Sequence, residues 1–141
     1  MSEQTPVQIV KDAYAAFSRN DIESIINLMA DDVSWYLPGP PKVVPFVGRR
    51  KGKTEVNRFF STLTDVQDVE RFEPQQFVAQ GEKVVALGNY KWRVKATGRA
   101  YDSEFAHVFT VRGGKIVEFH EYYDTAAVIN AFGTTAQSAT V

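Results

Sequence analysis

The sequence predicts an α+β domain in which N-terminal helices pack on one face of a curved antiparallel sheet. Apolar residues recur with helical spacing in the first half of the chain, and they alternate with polar residues from about residue 69. Glycine-containing turns separate the alternating segments. We expect one domain over residues 1–141, with a core over about 6–132 and a loose tail over 133–141.

Two helical segments open the chain. Thr5-Pro6-Val7-Gln8 forms a capping box with proline at the first helical position. The apolar stripe that follows consists of Val7, Val10, Tyr14 and Phe17. A break at 19–21 starts a second helix, and its expected apolar face consists of Ile22, Ile25, Ile26 and Met29. Tyr14 therefore belongs to the buried side of the first helix.

A short strand over 33–37 is expected to run into a proline-rich loop over 38–47. Four prolines favour an extended conformation for this loop, which Gly48 and Gly52 close. Thr54 is expected to cap a third helix, whose apolar residues are Val56, Phe59, Phe60 and Leu63. The basic run 48–53 could bind an anion at the start of that helix, but a solvated basic loop is the favoured interpretation.

Period-two alternation predicts four strands over 70–80, 83–96, 100–112 and 115–123. Asp124 or Thr125 is expected to cap a last helix over 126–132. The second face of the long strands is also apolar, with Val85, Leu87, Ala106 and Val108. A sheet face open to water should be polar, so we expect a second copy to cover this face in a homodimer.

Composition and charge exclude several classes of function. A net charge of −1 provides no field that would attract nucleic acid or an anionic membrane. The chain has no cysteine, and its two histidines, His107 and His120, fall on different strands, so we expect no metal site. No dinucleotide or phosphate-loop motif indicates a cofactor. The absence of a leader pattern and of a long apolar run leads us to expect a cytoplasmic protein.

One polar pair stands out near the C-terminus, in "EFAHVFTVRGGKIVEFHEYYD". Alternation places His107 in a row with Phe105 and Phe109, and Glu121 in a row with Phe119 and Tyr123. On adjacent strands the two side chains can form an acid/base pair in which the glutamate orients the imidazole. Alternatively, they satisfy each other inside a core and hold the register of the hairpin.

Other side chains could complete a site around this pair. Tyr14 could donate a hydrogen bond to a ligand carbonyl or to His107, or it could be a core tyrosine with a backbone partner. Aromatic residues could line an apolar cavity or fill the core, and the candidates are Trp35, Phe59, Tyr90, Trp92, Tyr101, Phe105, Phe109 and Tyr123.

The segments "AYAAFSRNDIESIINLMADDVSWYLPG" and "FTVRGGKIVEFHEYYDTAAV" resemble the nuclear transport factor 2-like superfamily. The nearest branch is that of the SnoaL-like proteins, which are related to ketosteroid isomerase and limonene epoxide hydrolase. The resemblance covers roughly residues 6–132. It implies a cone-shaped α+β barrel with a deep pocket, usually in a dimer, but it does not imply one reaction.

The catalytic residues of the two related enzymes carry over only in part. Ketosteroid isomerase uses an aspartate base, a tyrosine and a protonated aspartic acid, and the resemblance places these at Leu37, Tyr14 and His107. Leucine cannot abstract a proton, so the isomerase mechanism does not transfer unchanged. For limonene epoxide hydrolase, one aspartate matches Glu121, but its Arg-x-Asp pair falls near Asn89, where the sequence lacks it. The residues that fix its water match Trp35 and Leu37.

Two hypotheses therefore remain open. The first is a cofactor-free enzyme, such as an isomerase, cyclase, dehydratase or hydrolase, that acts on a small apolar carbonyl compound. In that case His107 is the general acid/base, Glu121 orients it and Tyr14 donates a hydrogen bond to the substrate. The second is a binding or carrier protein with the same pocket and no chemistry.

Overall fold

The computed structural model describes residues 4–133, and it confirms the α+β class. The helices are α1 (Pro6–Ser18), α2 (Ile22–Asn27), α3 (Lys53–Val66) and α4 (Thr125–Phe132). The strands are β1 (Met29–Leu37), β2 (Gly48–Lys51), β3 (Gln67–Gln80), β4 (Lys83–Val94), β5 (Ala100–Arg112) and β6 (Lys115–Tyr123). Among the described residues, no helix is both long and apolar enough to cross a membrane.

All six strands form one sheet in the order β2-β1-β6-β5-β4-β3. The neighbours are antiparallel except for β1 and β6, which pair in parallel. The two edge strands, β2 and β3, do not pair with each other, so the sheet curves without closing into a full barrel. The helices α1, α2 and α3 cover its inner face, and between helices and sheet lies the apolar core.

The first helix begins as expected, because the Thr5 hydroxyl accepts a hydrogen bond from the Gln8 amide at 3.2 Å. Asp21 caps α2 through the amide and hydroxyl of Ser24. The expected extent of α2 was wrong at its end, since Met29 belongs to β1 instead. The reason is long-range pairing: the Ile116 amide donates to the Leu28 carbonyl, and Met29 lies opposite Ile116 on β6.

The proline-rich segment 38–47 is folded into turns, and the prediction of an extended loop was wrong. The amides of Val43 and Val44 both donate to the Pro40 carbonyl at 3.0 Å. This turn buries Val44, Phe46 and Val47 in the core. Burial of three apolar side chains outweighs the extended preference that prolines impart.

The basic run after this segment is a strand and a helix start, which corrects both expectations for it. Residues 48–51 form β2, which pairs with residues 34–37 at the end of β1, so that Gly48 lies opposite Leu37. The residue that precedes α3 is Gly52, at φ +88°, and Thr54 lies inside the helix without capping it. The Lys51 amide donates to a carboxylate oxygen of Glu55 at 2.7 Å, so an acidic side chain occupies the place proposed for an anion.

The four-strand meander matches the prediction closely, and β3 begins and β4 ends within three residues of the expected positions. Along β4 and β5, the buried inner row includes Tyr90, His107 and Phe109. Outer-face neighbours form a row across the sheet that consists of Val78, Val85, Val108, His120 and Tyr36. Asp124 caps α4 as expected. The expected tail lies outside the described residues from position 134 onward.

Candidate functional site

A cavity of about 70 Å³ lies between the helices and the inner face of the sheet. Its lining is almost entirely apolar and aromatic, and it consists of Ala13, Tyr14, Phe17, Ile25, Trp35, Phe59, Phe60, Leu63, Phe72, His107, Phe109, Ile116, Phe119 and Glu121. Typical ligand pockets measure about 300–1,000 Å³, so this one is small. Three of its lining residues carry the titratable groups singled out in the sequence: Tyr14, His107 and Glu121.

His107 and Glu121 face each other across the β5–β6 hairpin. They are directly opposite in the strand register, and their side chains are in contact, with Nε2 and Oε1 3.3 Å apart. Both are buried, at 5% and 6% exposure. The contact is close enough for an ion pair, but the ring nitrogen is not aligned with the carboxylate as a hydrogen bond. The pair is thus in contact yet leaves Nε2 without a well-directed partner among the described residues.

Tyr14 reaches the same imidazole from helix α1. Its hydroxyl lies 2.6 Å from His107 Nδ1, a short hydrogen bond across the two layers of the fold. Burial, and after it the negative charge of Glu121, raise the pKa of Tyr14 well above its ordinary value. The hydroxyl therefore keeps its proton and can donate it, either to the imidazole or to a ligand.

Tyr90 contacts the Glu121 carboxylate, on the side of the pair opposite Tyr14. Its hydroxyl donates a short hydrogen bond to Glu121 Oε2. Burial first, and the neighbouring carboxylate second, raise the pKa of Tyr90 well above its ordinary value, so it too remains a donor. Tyr14, His107, Glu121 and Tyr90 form a continuous series of polar contacts, which we call the polar chain. The sequence pattern put Tyr90 among cavity-lining residues, whereas here it supports Glu121 from behind.

The eight aromatic candidates divide into two groups. Trp35, Phe59 and Phe109 line the cavity, but Tyr90, Trp92, Tyr101, Phe105 and Tyr123 do not. Phe105 stacks on the His107 ring at 4.1 Å between centroids and fixes its orientation. The hydroxyls of Tyr101 and Tyr123 are turned to Gln67 and to the Pro38 carbonyl, and burial raises the pKa of both tyrosines.

Some residues of the site were missed in the sequence. Phe72, on β3, lines the cavity and packs against Tyr14 with 6.1 Å between ring centroids. In the sequence, the only indication that Phe72 points inward was its alternation with polar neighbours, and this pattern is shared by any core residue of a strand. Gln67 is buried and accepts the hydrogen bond of Tyr101 at 2.8 Å. A single glutamine at the junction of α3 and β3 has no recognisable pattern.

Two positions that correspond to catalytic groups of the related enzymes, Leu37 and Asn89, are unsuited to those roles. Leu37 is a buried core residue at the end of β1. Asn89 alternates to the opposite side of β4 from Tyr90, where it accepts a hydrogen bond from Arg71 at 2.6 Å. Within residues 4–133, no three His, Asp or Glu side chains cluster as a metal site would require.

Comparison with known proteins supports the fold and the family. The SnoaL-like domain family matches residues 10–119. A crystal structure of an NTF2-like protein from Burkholderia xenovorans is 34% identical, with a TM-score of 0.84, over 94% of this chain and 99% of that one. TerC, co-crystallised with polyporic acid, is 26% identical with a TM-score of 0.78, over 91% of this chain and 98% of its own. An uncharacterised Mycobacterium tuberculosis protein is 24% identical over 132 residues, which are 94% of this chain and 98% of that protein.

Proposed function

We propose, from the premise that this chain belongs to the SnoaL-like domain family, that it is a cofactor-free acid/base enzyme for a small apolar carbonyl compound. One observation carries the proposal: the polar chain ends on the wall of an otherwise apolar cavity. An apolar cavity wall favours an apolar substrate, and the few polar groups on that wall favour a substrate whose functional group can bind to them. Titratable groups placed in such a cavity are the usual means of proton transfer.

The three titratable groups of the cavity can convert a bound ketone to its enol without a net gain or loss of protons. We start from an imidazolium beside a carboxylate, with Nε2–H toward Glu121 and Nδ1–H donated to the Tyr14 oxygen. Tyr14 then donates its hydroxyl proton to the carbonyl oxygen, and Nδ1 replaces that proton. Glu121 accepts a proton from the carbon next to the carbonyl. The ketone becomes an enol, the imidazole becomes neutral and the glutamate becomes a neutral acid.

Burial favours this scheme because it begins and ends without net charge in the cavity. A lone charge in such surroundings is costly, whereas an adjacent pair of opposite charges is compensated. Running the steps backwards returns a proton to the same carbon or to another. When the ketone carries a β,γ double bond, return of the proton to the γ carbon is an isomerisation. When it carries a β-hydroxyl group, the enol can return its oxygen proton to Tyr14 while Glu121 protonates the departing hydroxyl, which leaves as water in a dehydration.

A second function is favoured by the small size and the apolar lining of the cavity. About 70 Å³ with an apolar lining holds a small organic group or a few waters. A protein that only binds or carries an apolar molecule needs no more than this, and the polar chain then merely anchors the ligand's oxygen. The co-crystal of TerC with polyporic acid supports small-molecule binding by this fold.

We also propose that the protein is a cytoplasmic homodimer. The outer-face residues Val85, Leu87, Ala106 and Val108 are all part-exposed in a single chain. An apolar sheet face of this kind is stabilised by a self-complementary partner. Lack of cysteine suits a reducing compartment, although it does not require one.

The test uses a matched pair of probes, cyclohexanone and methylenecyclohexane, which differ at the carbonyl oxygen. We expect the wild-type protein to bind the ketone and to accelerate deuterium exchange next to its carbonyl in heavy water. The His107→Asn variant should lose the exchange, and the control His120→Asn, which changes the outer-face histidine, should keep it. Binding without exchange would favour the carrier function. No binding of either probe would overturn both functions.

A further inference from the structure

Trp35 lines the cavity, and its indole carries a hydrogen-bond donor that has no partner among the described residues. Its ring lies on the inner side of β1, stacked on Phe119 at 4.0 Å between centroids, and it contacts Phe59 and Phe60. The side chain is only 5% exposed. Its strand neighbours Ser34 and Tyr36 belong to the other face of the sheet, so the indole is committed to the inside.

The indole Nε1 has no hydrogen-bond partner among the described residues, and it is shielded from solvent. Buried polar groups of folded proteins almost always have a partner, so a buried donor without one calls for an explanation. Within residues 4–133, three side-chain nitrogens share this condition, those of Trp35, Gln67 and His107. Two of the three belong to residues that line the cavity, whereas Gln67 does not.

Packing holds the indole where it is. The tryptophan is fixed between the ring of Phe119 on β6 and the rings of Phe59 and Phe60 on α3. A rotation of the indole would break these ring contacts. The unpaired donor is therefore built into the fold by aromatic packing from both layers.

We propose that the Trp35 indole N–H donates a hydrogen bond to an oxygen of the bound ligand and thereby selects molecules that carry such an oxygen. This rests on the proposed function, since it names which ligands that cavity accepts. An indole nitrogen is a donor only, so its partner must be an acceptor: a carbonyl, enolate or similar oxygen on a compact apolar body. A hydrocarbon of the same shape leaves the donor unpaired and is discriminated against.

Trp35 and Tyr14 then approach the ligand from different layers of the fold. Tyr14 belongs to α1 and can exchange its proton through His107. Trp35 belongs to β1, and its indole N–H is a donor only and is neither an acid nor a base near neutral pH, so it binds and orients the ligand without taking part in proton transfer. Its loss should therefore weaken the binding of an oxygen-bearing ligand more than it alters proton chemistry in the bound state.

The chain offers an internal control, because it has two tryptophans and Trp92 does not line the cavity. We expect cyclohexanone to shift the indole N–H resonance of Trp35 in the NMR spectrum and to leave that of Trp92 in place. Methylenecyclohexane should bind without the hydrogen-bond shift. The Trp35→Phe variant should lose about tenfold in affinity for the ketone, the factor that corresponds to about 1.4 kcal/mol, and keep its affinity for the hydrocarbon within about twofold.

The outcomes separate this inference from the function on which it rests. If the wild type binds cyclohexanone and His107 is required for exchange, but the Trp35 resonance does not move, the donor role is wrong and the enzyme proposal stands. Equal affinity of Trp35→Phe and wild type for the ketone would lead to the same conclusion. The resonance test uses the wild-type protein, so it decides the matter even if Trp35→Phe does not fold. If neither probe binds, both proposals fail.

Discussion

At the scale of single residues, the contact between His107 and Glu121 decides how the interior is organised. Strand register places the two opposite each other, and Tyr14 and Tyr90 complete the polar chain at its ends. Each polar group has a neighbour of suitable chemistry, although Nε2 is poorly aligned with its carboxylate. Such a network stabilises the fold only while every member keeps its partner.

The first prediction concerns coupling within this pair. The Glu121→Gln variant should move the NMR titration curve of His107, because a neutral amide no longer supports a charged ring. The control Glu118→Gln, on the same strand but hydrogen-bonded to Thr110 near the surface, should leave the curve in place.

The same coupling can be measured by urea unfolding. The His107→Leu and Glu121→Leu variants should each lower the free energy of unfolding by about 1–3 kcal/mol, and the double variant should lower it by less than the sum. Additive losses and an unmoved curve would show that the residues are neighbours without coupling.

A second prediction concerns Tyr90, which supports Glu121 from outside the cavity. The Tyr90→Phe variant removes the only hydroxyl that donates to Glu121 Oε2 within the described residues and leaves a buried oxygen unpaired. We expect a loss of about 1–3 kcal/mol in the free energy of unfolding. Tyr122→Phe, at an outer-face position that is 52% exposed, should change stability by less than about 0.5 kcal/mol. Equal effects of the two variants would contradict the role assigned to Tyr90.

The sequence predicted part of this site, and physical reasons explain the rest. Alternation alone places His107 and Glu121 on the inner face, and helical spacing places Tyr14 opposite them. Alternation cannot tell a cavity wall from a filled core, and so it did not separate Phe109 from Phe105. The role of Tyr90 depends on how far its hydroxyl reaches from β4 across β5 to β6, which no local pattern records.

At the scale of elements, the long strands followed from local pattern, while β2 and the parallel pairing of β1 did not. Turn glycines and alternation act within a few residues, and they delimit β3 to β6 well. β2 has four residues of polar and charged character, and only its partner β1 makes it a strand. The proline-rich segment was likewise decided by tertiary burial of Val44, Phe46 and Val47, which overrides local preference.

A third prediction concerns the β3–β4 pair. Gly88 on β4 lies opposite Pro74 on β3, next to the position at which the pairing register of the two strands shifts. A Cβ atom at position 88 would fall 2.1 Å from the Glu73 carbonyl oxygen and 2.8 Å from the Phe105 ring. Gly88→Ala should therefore lower the free energy of unfolding by about 1–3 kcal/mol, because neither strand can move away without breaking the ladder. Gly81→Asn, at an open turn with φ +58°, is the control and should cost much less. A neutral Gly88→Ala would show that the strands are not so closely packed there.

At the scale of the whole molecule, the sheet has two faces with different uses. The inner face carries the cavity and the polar chain, and the outer face carries the row from Val78 to Tyr36. His120 is part of this outer row, where its ring stacks on Tyr122 at 4.2 Å between centroids. Burial, and then the charge of Arg49, lower the pKa of His120, which would suit a neutral ring in the proposed dimer interface. Alternation along β5 and β6 thus places His107 on the inner face of the sheet and His120 on the outer face.

The fourth prediction tests the use of the outer face. Val108 lies in the middle of the row, between Val85 and His120. A lysine there would place a charge in the expected interface, so Val108→Lys should yield monomers or aggregates in analytical ultracentrifugation. Ser61→Lys, at an exposed position of α3, should sediment as the wild type does. An assembly that is unchanged by Val108→Lys would contradict a dimer through this face.

The central claim is that a ligand oxygen engages the Tyr14–His107 end of the polar chain, and the ring nitrogens of His107 report on it most directly. We expect the nitrogen-15 resonances of His107 to move when cyclohexanone is added, while those of His120 stay in place. The Tyr14→Phe variant should abolish the movement, because the imidazole senses the ligand through that hydroxyl. His107 resonances that remain unchanged while the ketone binds, or that move equally in Tyr14→Phe, would contradict the account.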